Sequence, residues 1–186
     1  MGALYLIFVK SLLKKANLGK VNRILTEYFG WHTMVLDEID VTILELLQKQ
    51  GRTRRNELAD LVGLSLPAAS ERLRKLEEAG IITGYYAKVN HKLLGKDITA
   101  FVLVTMDSSR HFNTFVDHVN ATDDILECHG ITGEGTHLLK VRTENTESLE
   151  KLLAKVQSWL GVTKTTTSMV LSTSKETTKV KVHKTK

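Results

Sequence analysis

The chain has one cysteine, Cys128, and one proline, Pro67, among 186 residues. A single thiol excludes an internal disulfide and fits a reducing compartment. With so little proline, long Pro-rich linkers are excluded too. No apolar run approaches the ~20 residues that a membrane-spanning helix needs. The apolar stretch Ala3 to Val9 is short, and its basic residues Lys10, Lys14 and Lys15 follow it rather than precede it, so it lacks the order of a secretion signal. Leu6 stands where N-myristoylation wants Ser or Thr. Phosphate-cradling GxxxxGK[ST] or GxGxxG patterns are missing from any strand–helix setting. Cys128 and His129 are neighbours in a stretch that reads as strand, where adjacent side chains point to opposite faces, and no second Cys/His pair lies at ligand spacing. These absences lead us to expect a cytoplasmic protein with no membrane segment, no metal, no cofactor and no catalytic centre.

What is present is uneven charge. The net charge is +5, yet residues 36–50 carry four acidic side chains against one basic, and residues 93–174 carry ten against seven. Basic excess lies in residues 1–35, in residues 51–92 and in the closing residues 175–186. An acidic body with basic segments points to a polyanionic partner for those segments.

Residues 1–35 read as an N-terminal extension whose residues 3–29 form one or two amphipathic helices. Met34 directly precedes a well-formed helix start, so the extension is either an arm that packs on a partner subunit or on nucleic acid, or a stretch upstream of the true start. Residues 36–50, LDEIDVTILELLQKQ, form a helix with the stripe Ile39, Ile43, Leu46 and Leu47. Asp37 is its N-cap, and Asp40 favours the positive end of the helix dipole. A second helix is expected over 55–62, burying Leu58, Ala59 and Leu61. Gly63 allows a tight turn, and Ser65 caps a third helix that ends at Gly80. Pro67 is tolerated in its first turn, where backbone N–H groups lack partners anyway. Residues 81–89 read as strand with a turn at Gly84.

The third helix is divided. Leu66, Ala69, Leu73 and Leu76 face one side; Pro67, Ala68, Glu71, Arg74 and Lys75 face the other, with Arg72 at its flank. Two short helices joined by Val62-Gly63-Leu64-Ser65 have helix-turn-helix geometry, whose second helix enters the major groove first turn foremost. Small residues there let the backbone approach base edges, and cations one or two turns later reach phosphates or guanine. The candidate DNA-contacting residues are Arg54, Arg55, Ser65, Pro67, Ala68, Ser70, Glu71, Arg72, Arg74 and Lys75, supported by Arg52.

Beyond a linker over 85–97, the pattern alternates. Strands are expected at 98–106, 125–131, 137–143 and 162–172, and helices at 110–120 (Phe112, Phe115, Val116 and Val119 inward) and 147–160 (Leu149, Leu152, Leu153, Val156 and Leu160 inward). That βαββαβ order is the ferredoxin-like arrangement. The fold class is therefore α+β: a winged helix-turn-helix over 36–84 followed by a ferredoxin-like domain over 98–173. The basic tail, 174–186, reads as frayed or as an added edge strand.

The stretch LDEIDVTILELLQKQGRTRRNELADLVGLSLPAASERLRKLEEAGIITGYYAKVN resembles the N-terminal module of Lrp/AsnC transcription regulators, and ILECHGITGEGTHLLKV resembles the strand–turn–strand of their effector domain. The resemblance covers about 36–171. It implies binding to double-stranded DNA, a homodimer that can assemble into tetramers or octamers, and a small effector, commonly an amino acid, held between the ferredoxin-like domains. By position, the effector loop would be Thr132, Gly133, Glu134, Gly135 and Thr136. Its glycines leave backbone N–H groups open to a carboxylate; a plain hairpin turn would use the same residues. Three positions depart from the family pattern. Thr136 stands where an Asp is common, so the negative charge that suits an ammonium group is missing. Arg54 stands at the usual Ser cap, where Thr53 is expected to cap instead. Glu71 replaces a common basic residue. Two other readings stay open: a stand-alone metabolite sensor, and an enzyme resembling the tetrapyrrole decarboxylases of the same two-domain family, for which His91, His111, His118, His129 and His137 would have to meet a macrocycle.

Overall fold

The computed structural model describes residues 35–184; the expectations for the N-terminal arm and for Met34 lie outside the described residues. Contacts divide the chain into two compact units. One runs through Ala87 and also holds Thr177–Lys186; the other is Lys88–Glu176.

The first unit is three helices: α1, Glu38–Lys49; α2, Arg55–Leu61; and α3, Leu66–Glu78. A reciprocal capping box starts α1: Asp37 Oδ1 accepts the Asp40 N–H at 2.9 Å, and Asp40 Oδ2 accepts the Asp37 N–H at 3.2 Å. The cap is as expected, but the buried stripe is narrower and rotated. Ile43 and Leu44 are buried, while Ile39, Leu46 and Leu47 pack at the rim. Thr53 does not cap α2. Its hydroxyl donates backwards to the Gln50 carbonyl at 2.7 Å, and extended Arg54 precedes the helix with no side-chain cap. Leu58 and Ala59 are buried as expected, but Leu61, at the last position of α2, is 56% exposed. Gly63 takes φ +68°, which an L side chain adopts only with strain, and lets Leu64 N–H reach the Ala59 carbonyl at 3.0 Å. Ser65 then caps α3 through the Ala68 N–H. Ala69, Leu73 and Leu76 are buried, whereas Leu66, in the first turn, stays half outside.

Leu36, Ile43, Leu44, Leu58, Leu73 and Leu76 form the core of this unit, with Ile81, Ile82 and Val182 packed on it. The hairpin expected after Gly80 is not formed. Residues 81–90 contain no strand, because among the described residues no ladder partner runs beside them. Tyr85 donates to Glu77 at 2.9 Å, and burial pushes its hydroxyl pKa up to about 12. The tail is neither frayed nor an edge strand within this unit. Val180 N–H donates to Gln48 Oε1 at 2.7 Å, Val182 enters the core, and Lys184 pairs with Glu38.

The second unit contains β1, Ile98–Met106; α4, Phe112–Asn120, entered through a 3-10 turn at Ser109–His111; β2, Ile125–Gly130; β3, His137–Thr143; α5, Thr146–Gln157; and β4, Val162–Met169. The sheet order is β2-β3-β1-β4, with every pairing antiparallel, as the ferredoxin-like pattern requires. Alternation divides β1: Ala100, Val102, Val104 and Met106 are buried with Phe115, Val119, Leu139, Val141, Leu149, Leu152 and Val156. Thr99, Phe101 and Leu103 lie on the other face, opposite Arg142, Lys140 and Leu138 of β3. Two inward assignments fail: Val116 is 39% and Leu160 67% exposed. Helix α5 ends at Gln157, so the next residues leave helical phase, and Trp159 is buried in Leu160's stead. The Trp159 ring meets Phe115 edge-on at 5.6 Å and stacks on His118 at 5.2 Å. Cys128 is half-buried against the core and His129 faces outward, on opposite faces as adjacent strand residues must be.

Candidate nucleic-acid interface and ligand loop

Helix α3 presents Pro67, Ala68, Glu71, Arg74 and Lys75 as exposed side chains, with Ser65 at its cap and Ser70 at its edge. Arg54 and Arg55 are exposed at the start of α2. The first turn of α3 is thus small and bare, as its sequence requires.

The cations are not equivalent. Arg74 grips Glu71 with two parallel hydrogen bonds, Nη2 to Oε1 at 2.7 Å and Nε to Oε2 at 2.9 Å, and also reaches Glu78. Those contacts raise the Arg74 pKa and hold the Glu71 carboxyl below its ordinary value. Lys75 lies 3.7 Å from the same Glu71. All four side chains are about half exposed or more, so the pairs are weak and exchangeable.

Arg72 departs from the expectation. Its Nη1 donates to Asp37 Oδ2 at 2.7 Å and to Asp40 Oδ1 at 2.9 Å. The Asp40 side chain is only 3% exposed. The guanidinium therefore ties the middle of α3 to the capping box of α1, and is already committed where a phosphate contact was expected. The Asp40 N–H, opposed by desolvation and helped by Arg72, lowers the Asp37 pKa. Sequence reasoning found both aspartates as capping residues and missed this second role, because the partner lies more than thirty positions away.

In the second unit, Gly133 and Gly135 take φ +109° and +108°. At Gly135 a Cβ would also meet Leu103 at 2.9 Å and the Val104 carbonyl at 3.2 Å. The loop is sewn to β1 at one end: Thr136 N–H and its hydroxyl both donate to the Val104 carbonyl, at 2.8 and 3.1 Å. Thr132, Gly133 and Glu134 are exposed. Because the Thr136 hydroxyl proton goes to Val104, its oxygen is left to accept from His137 Nδ1 at 3.0 Å. His137 is buried between Phe112 and Phe115, each ring 4.8 Å away, and burial lowers its pKa. This histidine was assigned no place in the loop by its sequence.

Three other histidines are engaged locally: His91 Nδ1 lies 2.7 Å from the Lys96 carbonyl, His118 stacks on Trp159, and His129 lies 3.3 Å from Glu127. Among the described residues, no group of three or more His, Cys, Asp and Glu side chains could hold a metal ion. No described helix is long and apolar enough to cross a membrane.

Residues 36–83 match the family model described as winged helix-turn-helix DNA-binding, and residues 99–180 match the Lrp/AsnC ligand binding domain. A helix-turn-helix-type transcriptional regulator of Bacillus subtilis, YezC, is 41% identical over 139 residues, spanning 75% of this chain and 96% of the relative. This chain belongs to the Lrp/AsnC family. The leucine-responsive regulatory protein of Escherichia coli K12 is 37% identical over 151 residues, covering 78% of this chain and 90% of that protein. Among solved structures, a Neisseria meningitidis regulator in complex with L-Met aligns with TM-score 0.74 and 31% identity, covering 78% of this chain and 96% of that one. LrpC of B. subtilis aligns with TM-score 0.70 and 32% identity, over 78% and 100%. As an Lrp/AsnC protein, the chain is a DNA-binding transcription regulator with a ligand-binding domain.

Proposed function

We propose that two copies of the chain, paired through their ligand-binding domains, set two α3 helices against one duplex, and that a small carboxylate-bearing effector, an amino acid or close relative, at residues 132–136 tunes the spacing of those helices. The observation that carries this reading is the bare first turn of α3, Pro67 and Ala68, which lets backbone approach base edges. Arg54 and Arg55, with no competing carboxylate among the described residues, supply phosphate contacts. Arg74 and Lys75 exchange Glu71 for phosphate, which costs little because the pairs are exposed. Arg72 braces α3 rather than contacting DNA. Glu71, once released, is an acceptor suited to a cytosine amino group.

Dimer formation is supported by the sheet face that carries Phe101, Leu103 and Leu138, which no helix of its own unit covers. The effector reading rests on the exposed N–H groups around Gly133 and Glu134 and on the amino acid bound by the N. meningitidis relative. Effector binding can shift the DNA-reading arrangement only through differential affinity for two states.

The test is duplex selection from a random library, followed by affinity measurement across a salt series. Arg54→Ala and Arg55→Ala should each lower the salt slope of log K by roughly 0.9. Failure to enrich any sequence, with no duplex binding even at low salt, would overturn the reading. Calorimetric titration with a panel of amino acids tests the effector; a wholly silent panel refutes that part.

A further inference from the structure

The last residues of the chain dock on the DNA-binding unit and bring lysines to its acidic first helix. Residues 36–50, which make up α1 and its cap, carry four acidic side chains, Asp37, Glu38, Asp40 and Glu45, against one basic, Lys49. That is an unfavourable surface to bring toward a polyanion. The segment 177–186 carries four lysines and no acid.

The docking is specific. The tail runs antiparallel to α1: Val180 N–H meets Gln48 near the C-terminal end, and Lys184 meets Glu38 at the N-terminal end. Between them, Val182 is packed against the hydrophobic core of the unit. An extended peptide alternates its side chains, so with Val182 inward, Lys181 and His183 turn away from the unit. Lys179 and Lys181 are exposed, and neither side chain has a partner among the described residues.

We infer that the C-terminal tail is a working part of the DNA-binding head: docked on acidic α1, it offsets that helix's charge and presents Lys179 and Lys181 to the phosphate backbone. This rests on the DNA-binding reading above and extends it to a segment outside the helix-turn-helix. The contact is with backbone phosphate, so it adds affinity and salt dependence without adding sequence preference.

The experiment compares the full-length protein with three full-length variants on its selected duplex and on an unrelated one, from low to physiological salt. Lys179→Ala/Lys181→Ala is expected to lower the salt slope by roughly 1.8, and to weaken binding roughly 30-fold at 0.15 M salt on both duplexes alike. Arg54→Ala/Arg55→Ala tests the helix-turn-helix itself, and Lys164→Ala on β4 is expected to change nothing. Helical circular dichroism should be the same for the tail variant and the parent, since both lysines are exposed. If the parent binds and the Arg54/Arg55 variant loses slope while the tail variant does not, the tail inference is overturned and the DNA-binding reading stands. If the parent binds no duplex, the DNA-binding reading itself has failed. A loss confined to the selected duplex would also overturn the inference, because it would mean base readout rather than phosphate contact.

Discussion

Arg72→Ala separates a brace from a phosphate ligand. In the folded chain one guanidinium nitrogen serves both Asp37 and Asp40, and the Asp40 side chain is 3% exposed. Truncation leaves that carboxylate buried with only its capping contact to the Asp37 N–H. Removing one partner of a fully buried pair costs about 3–5 kcal/mol. Arg72 is itself 31% exposed, so water softens the loss, and about 2 kcal/mol is expected. At about 1.4 kcal/mol per factor of ten, the opening equilibrium of the helical unit should rise about 30-fold. Hydrogen–deuterium exchange at neutral pH reads this directly. Peptides covering α1 and α3 should exchange about 30-fold faster, and peptides from the sheet should be unchanged. The double variant Arg72→Met/Asp40→Asn should recover part of the loss, since it removes the orphaned charge. If Arg72→Ala leaves exchange in α1 and α3 untouched and instead lowers the salt slope of DNA binding by roughly 0.9, the brace assignment is wrong and the arginine contacts phosphate.

Leu139→Ala, at a fully buried position of β3, should destabilise the ligand-binding unit by about 3 kcal/mol, read by urea unfolding in a Trp31→Phe background where Trp159 is the sole tryptophan. Gly135→Ala should cost about 1–3 kcal/mol in the same assay, because φ +108° is strained for alanine and the Val104 carbonyl lies 3.2 Å from the new Cβ; it should also abolish any effector heat in calorimetry. His137 is held neutral by burial, with its folded pKa below the unfolded value of about 6.5. The unfolded chain therefore binds the extra proton first, so stability is level above about pH 7 and falls as pH drops below about 6.5 through the folded value. Melting followed at Trp159 from pH 7.5 to pH 5 should show that decline, and His137→Gln should flatten it; an unchanged slope in the variant would refute the assignment.

The sequence by itself determined what depends on near neighbours. Asp37 and Asp40 stand three apart and cap α1, Ser65 caps α3, Gly63 makes the turn, and the alternation in β1 and β3 sets their buried faces. The bare first turn of α3 and the paired glycines of the loop between β2 and β3 were legible for the same reason, since local backbone geometry limits which residues serve there. Expectations failed where an element's end or its neighbour across the fold was the deciding factor. Leu61, Val116 and Leu160 have the right spacing to be buried, yet the helix ends leave Leu61 and Leu160 in solvent, Val116 is 39% exposed, and Trp159 takes the inner position. The segment after Gly80 has strand propensity but no ladder partner among the described residues. Only the tertiary structure decided that Arg72 serves Asp40, that His137 lies between Phe112 and Phe115, and that Val182 packs on the helical core. Each joins groups that local periodicity cannot pair: burial converts an ordinary charge or apolar residue into a specific contact only when a distant element closes over it.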